Sequence, residues 1–335
     1  MKKVLVTGAT GFIGGRIVER CLEQGLEVRA FHLPGDPGAP ALEKKGIQTV
    51  AGDICDPEAV AQATHGVDVI FHCAAVVSDW APKSLFENVT VGGTKNVCRA
   101  AVEAGVSRLV YLSTNDVFGL DESGVIAEDH PRQPWGEPYP DHKIRAEDAV
   151  WEAHREQGLP TTMAYPCWVY GPGDKTFVPH LADAIANREM VFWRRDVLVW
   201  PTYVDNLVDI LFLMAEDDRA VGRGYLVHDG ESTTLQEFCG AIAREIEAKP
   251  PSLHIPFGLA MAAARVMELA WKVLGIKNRP LLTTYVVKNL GSRLRFSIEK
   301  AERELGWKPA VSYREGFART MEWLGTQDLS IIKGK

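Results

Sequence analysis

The 335-residue sequence has no basic excess: 37 Lys and Arg stand against 44 Asp and Glu, a formal net charge of −7. A nucleic-acid binder needs a basic stripe to meet phosphates, so that class drops out. None of the six cysteines (Cys21, Cys55, Cys73, Cys98, Cys167, Cys239) forms a C-x-x-C pair, which leaves no zinc or dithiol motif. A chain of this length needs no disulfide staples, so the cysteines read as reduced thiols of a cytoplasmic protein. His180 and His228 have no partner at ligand spacing, and no metal is expected. Internal repeats and low-complexity linkers are missing too. The apolar run Val4-Leu5-Val6 meets Thr7-Gly8 at once, too short for the core of a signal peptide. The longest apolar stretch, 257–276, is broken by Arg265, Glu268 and Lys272 at spacings of three and four. That puts charge on one helical face. The stretch reads as an amphipathic helix of a soluble protein, and membrane association is not expected.

What is present is a regular alternation. Short apolar runs at 4–6, 28–31, 49–51, 69–72, 109–112, 161–165 and 225–228 are separated by helical patterns. One pattern, 11–24, sets Ile13, Ile17, Val18, Cys21 and Leu22 on one face and stops at Gly25. Another opens at Asp56-Pro57, an N-cap followed by proline at the first helical position. This succession, with strands apolar throughout, predicts an α/β fold: a Rossmann-like, doubly wound parallel sheet. Residues 1–166 are expected to form it, with 200–245 returning to it. Residues 167–199 and 246–325, rich in proline and aromatics, are expected to form a smaller C-terminal substrate-binding region over the carboxyl edge of the sheet.

The strongest local signal is Thr7-Gly8-Ala9-Thr10-Gly11-Phe12-Ile13-Gly14, between the first strand and the first helix. Gly8 permits a tight turn, Gly11 lets backbone approach a pyrophosphate, and Gly14 lets helix and strand pack closely. The pyrophosphate sits on the helix N-terminus, where N–H groups and the dipole favour an anion. The spacing points to a dinucleotide.

Further motifs follow in order: Gly52-Asp53-Ile54, His72-Cys73-Ala74-Ala75, Ser113-Thr114-Asn115-Asp116-Val117-Phe118-Gly119, and Tyr139-Pro140-Asp141-His142-Lys143. With TGATGFIG they resemble the extended branch of the short-chain dehydrogenase/reductase superfamily, of epimerase/dehydratase type, over nearly the whole chain. The resemblance implies Thr114, Tyr139 and Lys143 as the catalytic set. It implies a cofactor site of Gly8, Thr10, Gly11, Phe12, Ile13, Gly14, His32, Asp53, Ile54, Cys73, Ala74, Ala75, Ser113, Tyr139, Lys143, Pro166 and Val169. It places substrate against Val76, Ser78, Asn115, Trp168 and Trp193. The cofactor so implied is NAD(P). A mild lean to NADP comes from His32, which stands where NAD-preferring members carry Asp. A homodimer is compatible with the family.

The residues support those roles chemically. Tyr139 and Lys143 are four apart and share a helical face. Pro140 suits the first helical position, with Tyr139 as the cap. A free Tyr hydroxyl titrates near pH 10, and a neighbouring ammonium or nicotinium favours the phenolate. Thr114 then holds the substrate oxygen by a hydrogen bond.

Three departures stand out. Thr90 replaces the family's usual Asn before Val91-Gly92-Gly93-Thr94, Tyr165-Pro166 replaces Arg-Pro, and the segment 199–206 lacks a basic residue common in sugar-nucleotide enzymes. Aromatics are dense instead: Trp80, Trp135, Trp168, Phe192, Trp193, Trp200, Phe257 and Trp271. They point to a bulky, mostly apolar substrate, and the C-terminal motifs resemble the 3β-hydroxysteroid dehydrogenase-like group and, more weakly, dihydroflavonol reductases. The expected reaction interconverts a secondary alcohol and a ketone. Two alternatives remain open: a sugar-nucleotide epimerase or dehydratase, which needs Arg293 and Arg295 on a diphosphate, and a non-catalytic dinucleotide sensor.

Overall fold

The computed structural model describes residues 1–327. β1 (Lys3–Thr7), α1 (Phe12–Glu23), β2 (Glu27–His32), α2 (Ala39–Lys44) and β3 (Gln48–Ala51) open the chain. α3 (Pro57–Thr64) leads to β4 (Val69–His72). A short α4 (Lys83–Leu85) then runs through a π-helical segment, Phe86–Gly93, into α5 (Thr94–Ala104). β5 (Arg108–Leu112), α6 (Pro138–Gln157) and β6 (Thr161–Pro166) follow. Next come β7 (Trp168–Tyr170), α7 (Phe177–Ala186), β8 (Leu198–Val199), β9 (Pro201–Tyr203), α8 (Val204–Glu216), β10 (Arg223–Val227), β11 (Thr233–Thr234) and α9 (Leu235–Glu245). The chain ends with α10 (Phe257–Val273), α11 (Thr284–Asn289), α12 (Glu299–Leu305) and α13 (Tyr313–Leu324).

Seven strands form one parallel sheet in the order β3-β2-β1-β4-β5-β6-β10. The fold is Rossmann-like, as the alternation predicts. Strand order reverses between β1 and β4, so the loops leaving their carboxyl ends part and open a crevice.

Alternation along β1 sorts the two faces. Val4 and Val6 pack with Ile17 and Val18 of α1 and with Leu207, Val208 and Leu211 of α8. Leu5 faces the opposite layer, where Val97 and Ala101 of α5 and Ala146 and Val150 of α6 meet Ile70 and Leu109. Asp56 caps α3 by accepting from the amides of Glu58 and Ala59, with Pro57 in the first turn. Ile298, Ala301, Leu305 and Trp307, around α12, pack in the α1–α8 layer beside the sheet. α7, α9 and α13 enclose a separate core around Tyr170, Phe192 and Phe238. A small cluster of Trp193, Ala260, Ala264 and Val287 lies under α10.

Candidate active site

The turn after β1 is built for close backbone approach. Gly8 has φ +69°, and a Cβ there would lie 3.1 Å from the Ala74 nitrogen. A Cβ at Gly14 would lie 2.2 Å from the Gly8 carbonyl oxygen, so no side chain fits. α1 begins with no side-chain cap and no acidic residue in its first turn. The helix end is therefore left to an anion, and the cradle fits a dinucleotide pyrophosphate.

A buried polar chain holds the turn. Thr94 donates its hydroxyl to the Thr90 carbonyl at 2.6 Å, so its oxygen accepts from His72 Nε2 at 3.0 Å. His72 Nδ1 is then free to accept from the Thr7 hydroxyl at 2.7 Å, and Thr7 Oγ1 accepts from the Ala74 amide at 3.2 Å. Burial, then the Lys143 charge, lowers the His72 pKa to about 3, so the ring stays neutral. Burial pushes the neighbouring Cys73 thiol up to about 12.

Just after β3, Asp53 accepts from the Cys55 amide at 2.8 Å, and Ile54 packs on Gly93, where a Cβ would come within 2.7 Å. His32 closes β2 with Nδ1 2.9 Å from the Leu33 carbonyl. Sequence reasoning missed Asp36, which accepts from the Thr10 hydroxyl at 2.8 Å and from the Gly38 amide. Its signal was an acidic residue about 20 positions past the glycines.

α6 starts earlier than expected. Its N-cap is Glu137 and Pro138, not Pro140, takes the first helical position, leaving Pro140 third, still within the first turn. Tyr139 thus lies inside the helix, four residues from Lys143. Its hydroxyl lies on the Thr114 side, and Thr114 Oγ1 accepts from the Asp116 amide at 3.3 Å. Burial raises the Tyr139 pKa, the Asp116 charge raises it further, and Thr114 partly offsets both. Lys143 is not among these influences: its ammonium donates to the Leu112 carbonyl at 2.6 Å and the Tyr111 hydroxyl at 3.2 Å. Burial lowers its own pKa to about 8.

One turn on, Glu147 is fully buried and accepts from the Ser113 hydroxyl. Burial raises its pKa to about 7, offset in part by Ser113, Arg132 and Lys143. The π-helical segment packs on α6 through an ion pair of Glu87 with Arg145. Thr90 in that segment donates nothing to α6; its hydroxyl oxygen accepts from the Val76 amide at 3.1 Å. Tyr165 is buried edge-on to Phe118.

Beyond Thr114 lies a small cavity walled by Asn115, Asp116, Trp135, Trp168, Trp200 and Leu294. Ser292 and Phe296 also line it, so alternation turns the intervening Arg293 and Arg295 outward, where both are exposed. Arg293 Nε donates to the Arg195 carbonyl. Val76 and Ser78 sit in the loop after β4, and Ser78 Oγ accepts from the Trp80 amide. Trp193 is not with them: its indole N–H donates to the Val287 carbonyl at 2.9 Å, inside the cluster under α10. Pro166 ends β6 beside Val227, and Val169 lies in β7 against Thr202. His228 is held by the Phe296 carbonyl and the Gly230 amide.

Residues 4–227 match the model of the NAD dependent epimerase/dehydratase family. The chain belongs to that family. Within it, this extended short-chain dehydrogenase/reductase is similar to a 2-alkyl-3-oxoalkanoate reductase of Stenotrophomonas maltophilia, 32% identical over 326 residues, 95% of this chain and 98% of the relative. It is also similar to a 3-beta-hydroxysteroid dehydrogenase of Mycolicibacterium neoaurum, 30% identical over 96% of this chain and 91% of that one. Among solved structures, gox2253 superposes with a TM-score of 0.80 at 27% identity, covering 97% of this chain and 98% of that one. The dTDP-glucose 4,6-dehydratase DesIV of Streptomyces venezuelae, with NAD and TYD bound, gives 0.77 at 25% identity, covering 96% and 97%. The protein is an NAD(P)-dependent oxidoreductase acting on a small molecule.

Proposed function

We propose that this family member interconverts a ketone and a secondary alcohol on a bulky, mostly apolar molecule. One observation carries the reading: Trp135, Trp168, Leu198, Trp200, Leu294 and Phe296 wall the cavity beside Thr114 together with the uncharged or acidic Asn115, Asp116, Asn289 and Ser292, no cation lines it, and Arg293 and Arg295 point away from it. A nucleoside diphosphate needs cations aimed at its phosphates. The relatives named for a 2-alkyl-3-oxoalkanoate and a 3-beta-hydroxysteroid, both carrying their oxygen beside hydrocarbon, support the same choice.

Gly8, Gly11 and Gly14 hold the pyrophosphate, and Asp53, Ile54 and His32 flank the adenosine. When bound, NAD(P)H supplies hydride from nicotinamide C4. Thr114 hydrogen-bonds the ketone oxygen and Tyr139 gives that oxygen its proton, so the carbonyl gains one hydride and one proton. Lys143, one turn along α6, would bind the nicotinamide ribose; its ammonium bonds the Leu112 carbonyl and Tyr111 hydroxyl rather than acting on Tyr139 directly. Oxidation runs the same steps backwards. The cavity-facing part of the substrate meets Asn115 and Trp168.

Both dinucleotides are expected to work. His32 carries no charge that repels a 2′-phosphate, which gives the lean to NADP, and Asp36 beside Thr10 opposes it.

Turnover assays with hydroxysteroids, long-chain β-keto acids and sugar nucleotides test the reading, together with a titration of uridine diphosphate. Turnover of the first two classes and no micromolar binding of the nucleotide are expected. Turnover of sugar nucleotides alone overturns it.

A further inference from the structure

α10 is an amphipathic helix turned inside out. Its buried residues are only Ala260 and Ala264, which rest on Trp193 and Val287. Its large apolar side chains face away from the protein. Leu259, Val266, Leu269, Val273 and Leu274 are each between 61% and 76% exposed. At 100° per residue they share one side, and with Ala262, Ala263 and Ala270 that side has no polar residue. Ile276 and Leu281 extend it into the following turn. A surface patch of this kind marks an interaction site.

Charge selects the partner. Arg265 and Lys272 are seven residues apart and run along one edge of the apolar stripe, and Lys277 follows in the turn; all three are exposed. None of them pairs with a carboxylate among the described residues. The acidic side chains nearby are already engaged: Glu268 turns inward to accept from the Thr284 amide and hydroxyl, and Asp79 is bound by Arg279. Among the described residues, three cations without a carboxylate partner therefore border an apolar face in a chain of net charge −7, Lys272 with its ammonium 5.6 Å from the Trp80 ring centroid. A second copy related by a two-fold axis would set those cations against each other. A bilayer surface with anionic headgroups instead matches both the hydrocarbon and the charge.

We propose that α10 and the turn after it dock in the plane of an anionic lipid surface. No helix among the described residues is long and apolar enough to cross a membrane, so the attachment is peripheral. The sequence reading of 257–276 is an amphipathic helix of a soluble protein; the structure turns its large apolar side chains outward and only Ala260 and Ala264 inward. The docked element adjoins the site, because Glu268 of α10 holds the start of α11 and Tyr285 in α11 stands edge-on to Tyr139. If the substrate is apolar, as proposed for the site, docking delivers it from the bilayer to that edge. This last step rests on the functional reading; the docking does not.

The test is co-sedimentation of the full chain with vesicles of phosphatidylcholine alone or mixed with phosphatidylglycerol. Binding to the anionic vesicles at least about tenfold tighter than to the neutral ones is expected, weakening with salt. The double variant Val266→Glu, Leu269→Glu should lose it by at least about tenfold, and Lys272→Glu with Lys277→Glu should lose the preference for anionic lipid. Melting temperature and NAD titration of the same variants report folding independently. No sedimentation with anionic vesicles overturns the proposal, as does unchanged binding in the double Glu variant. A dimer in light scattering that this variant dissociates overturns it too. Turnover of a water-soluble ketone by the double variant separates the two claims: it survives if only docking fails.

Discussion

The Tyr285 hydroxyl donates to Asp116 Oδ2 at 2.8 Å, across 169 positions of sequence. Its ring meets the Tyr139 ring edge-on, 6.1 Å between centroids. The C-terminal segment thus reaches the proposed acid/base through one residue. Asp116 is buried, and burial raises its pKa to about 6, with the Tyr285 bond offsetting part of that. At neutral pH it is ionised and opposes a phenolate on Tyr139.

Tyr139→Phe removes the proton donor and leaves the ring. We expect kcat to fall by at least about two orders of magnitude with cofactor affinity nearly unchanged. Steady-state kinetics and cofactor titration check both halves, and near-normal turnover would sink the assignment.

Asp116→Asn removes the charge that holds Tyr139 protonated. The Tyr139 pKa then falls, so the acidic limb of kcat for alcohol oxidation, where Tyr139 acts as base, moves to lower pH. The pH profile of the variant measures this, and an unmoved limb excludes the coupling.

Glu147 makes stability depend on pH. Its folded pKa, about 7, lies above the ordinary value near 4.3, so the folded state holds the proton more tightly. The stabilisation is complete below about pH 4 and is lost as pH rises through 7. Asp116 adds the same sign between about pH 4 and 6. The melting temperature should therefore decline by a few degrees between pH 5 and 8, and Glu147→Gln should flatten that decline. Scanning calorimetry across this range decides, and an equal slope in the variant rejects the attribution.

Asp36→Asn should raise the ratio of kcat/KM with NADP to that with NAD by up to about tenfold, under about 1.4 kcal/mol. His32→Asp should lower it. A wild type already hundreds-fold selective for NAD would move the determinant elsewhere.

Gly14→Ala sets a methyl against the Gly8 carbonyl, 2.2 Å away. α1 must shift, and we expect a loss of at least about 2 kcal/mol of stability with weakened cofactor binding. An unchanged melting temperature would show that the turn yields freely.

Much of this protein is legible in local sequence. Three glycines at fixed spacing after Val4-Leu5-Val6 state the turn, because only backbone without Cβ fits there. Tyr139 and Lys143 share a face because a helix repeats every 3.6 residues, whichever proline opens it. The contacts that tune the site needed the tertiary structure. Asp116 with Tyr285, Glu147 with Ser113 and Asp36 with Thr10 join residues that no short-range periodicity relates. The same holds for α10, whose pattern declares an apolar face without saying what that face meets. Periodicity reports which side of a helix avoids water; only the packing of the whole chain decides whether protein lies on that side, and here Ala260 and Ala264 face the protein while Leu259, Val266 and Val273 do not.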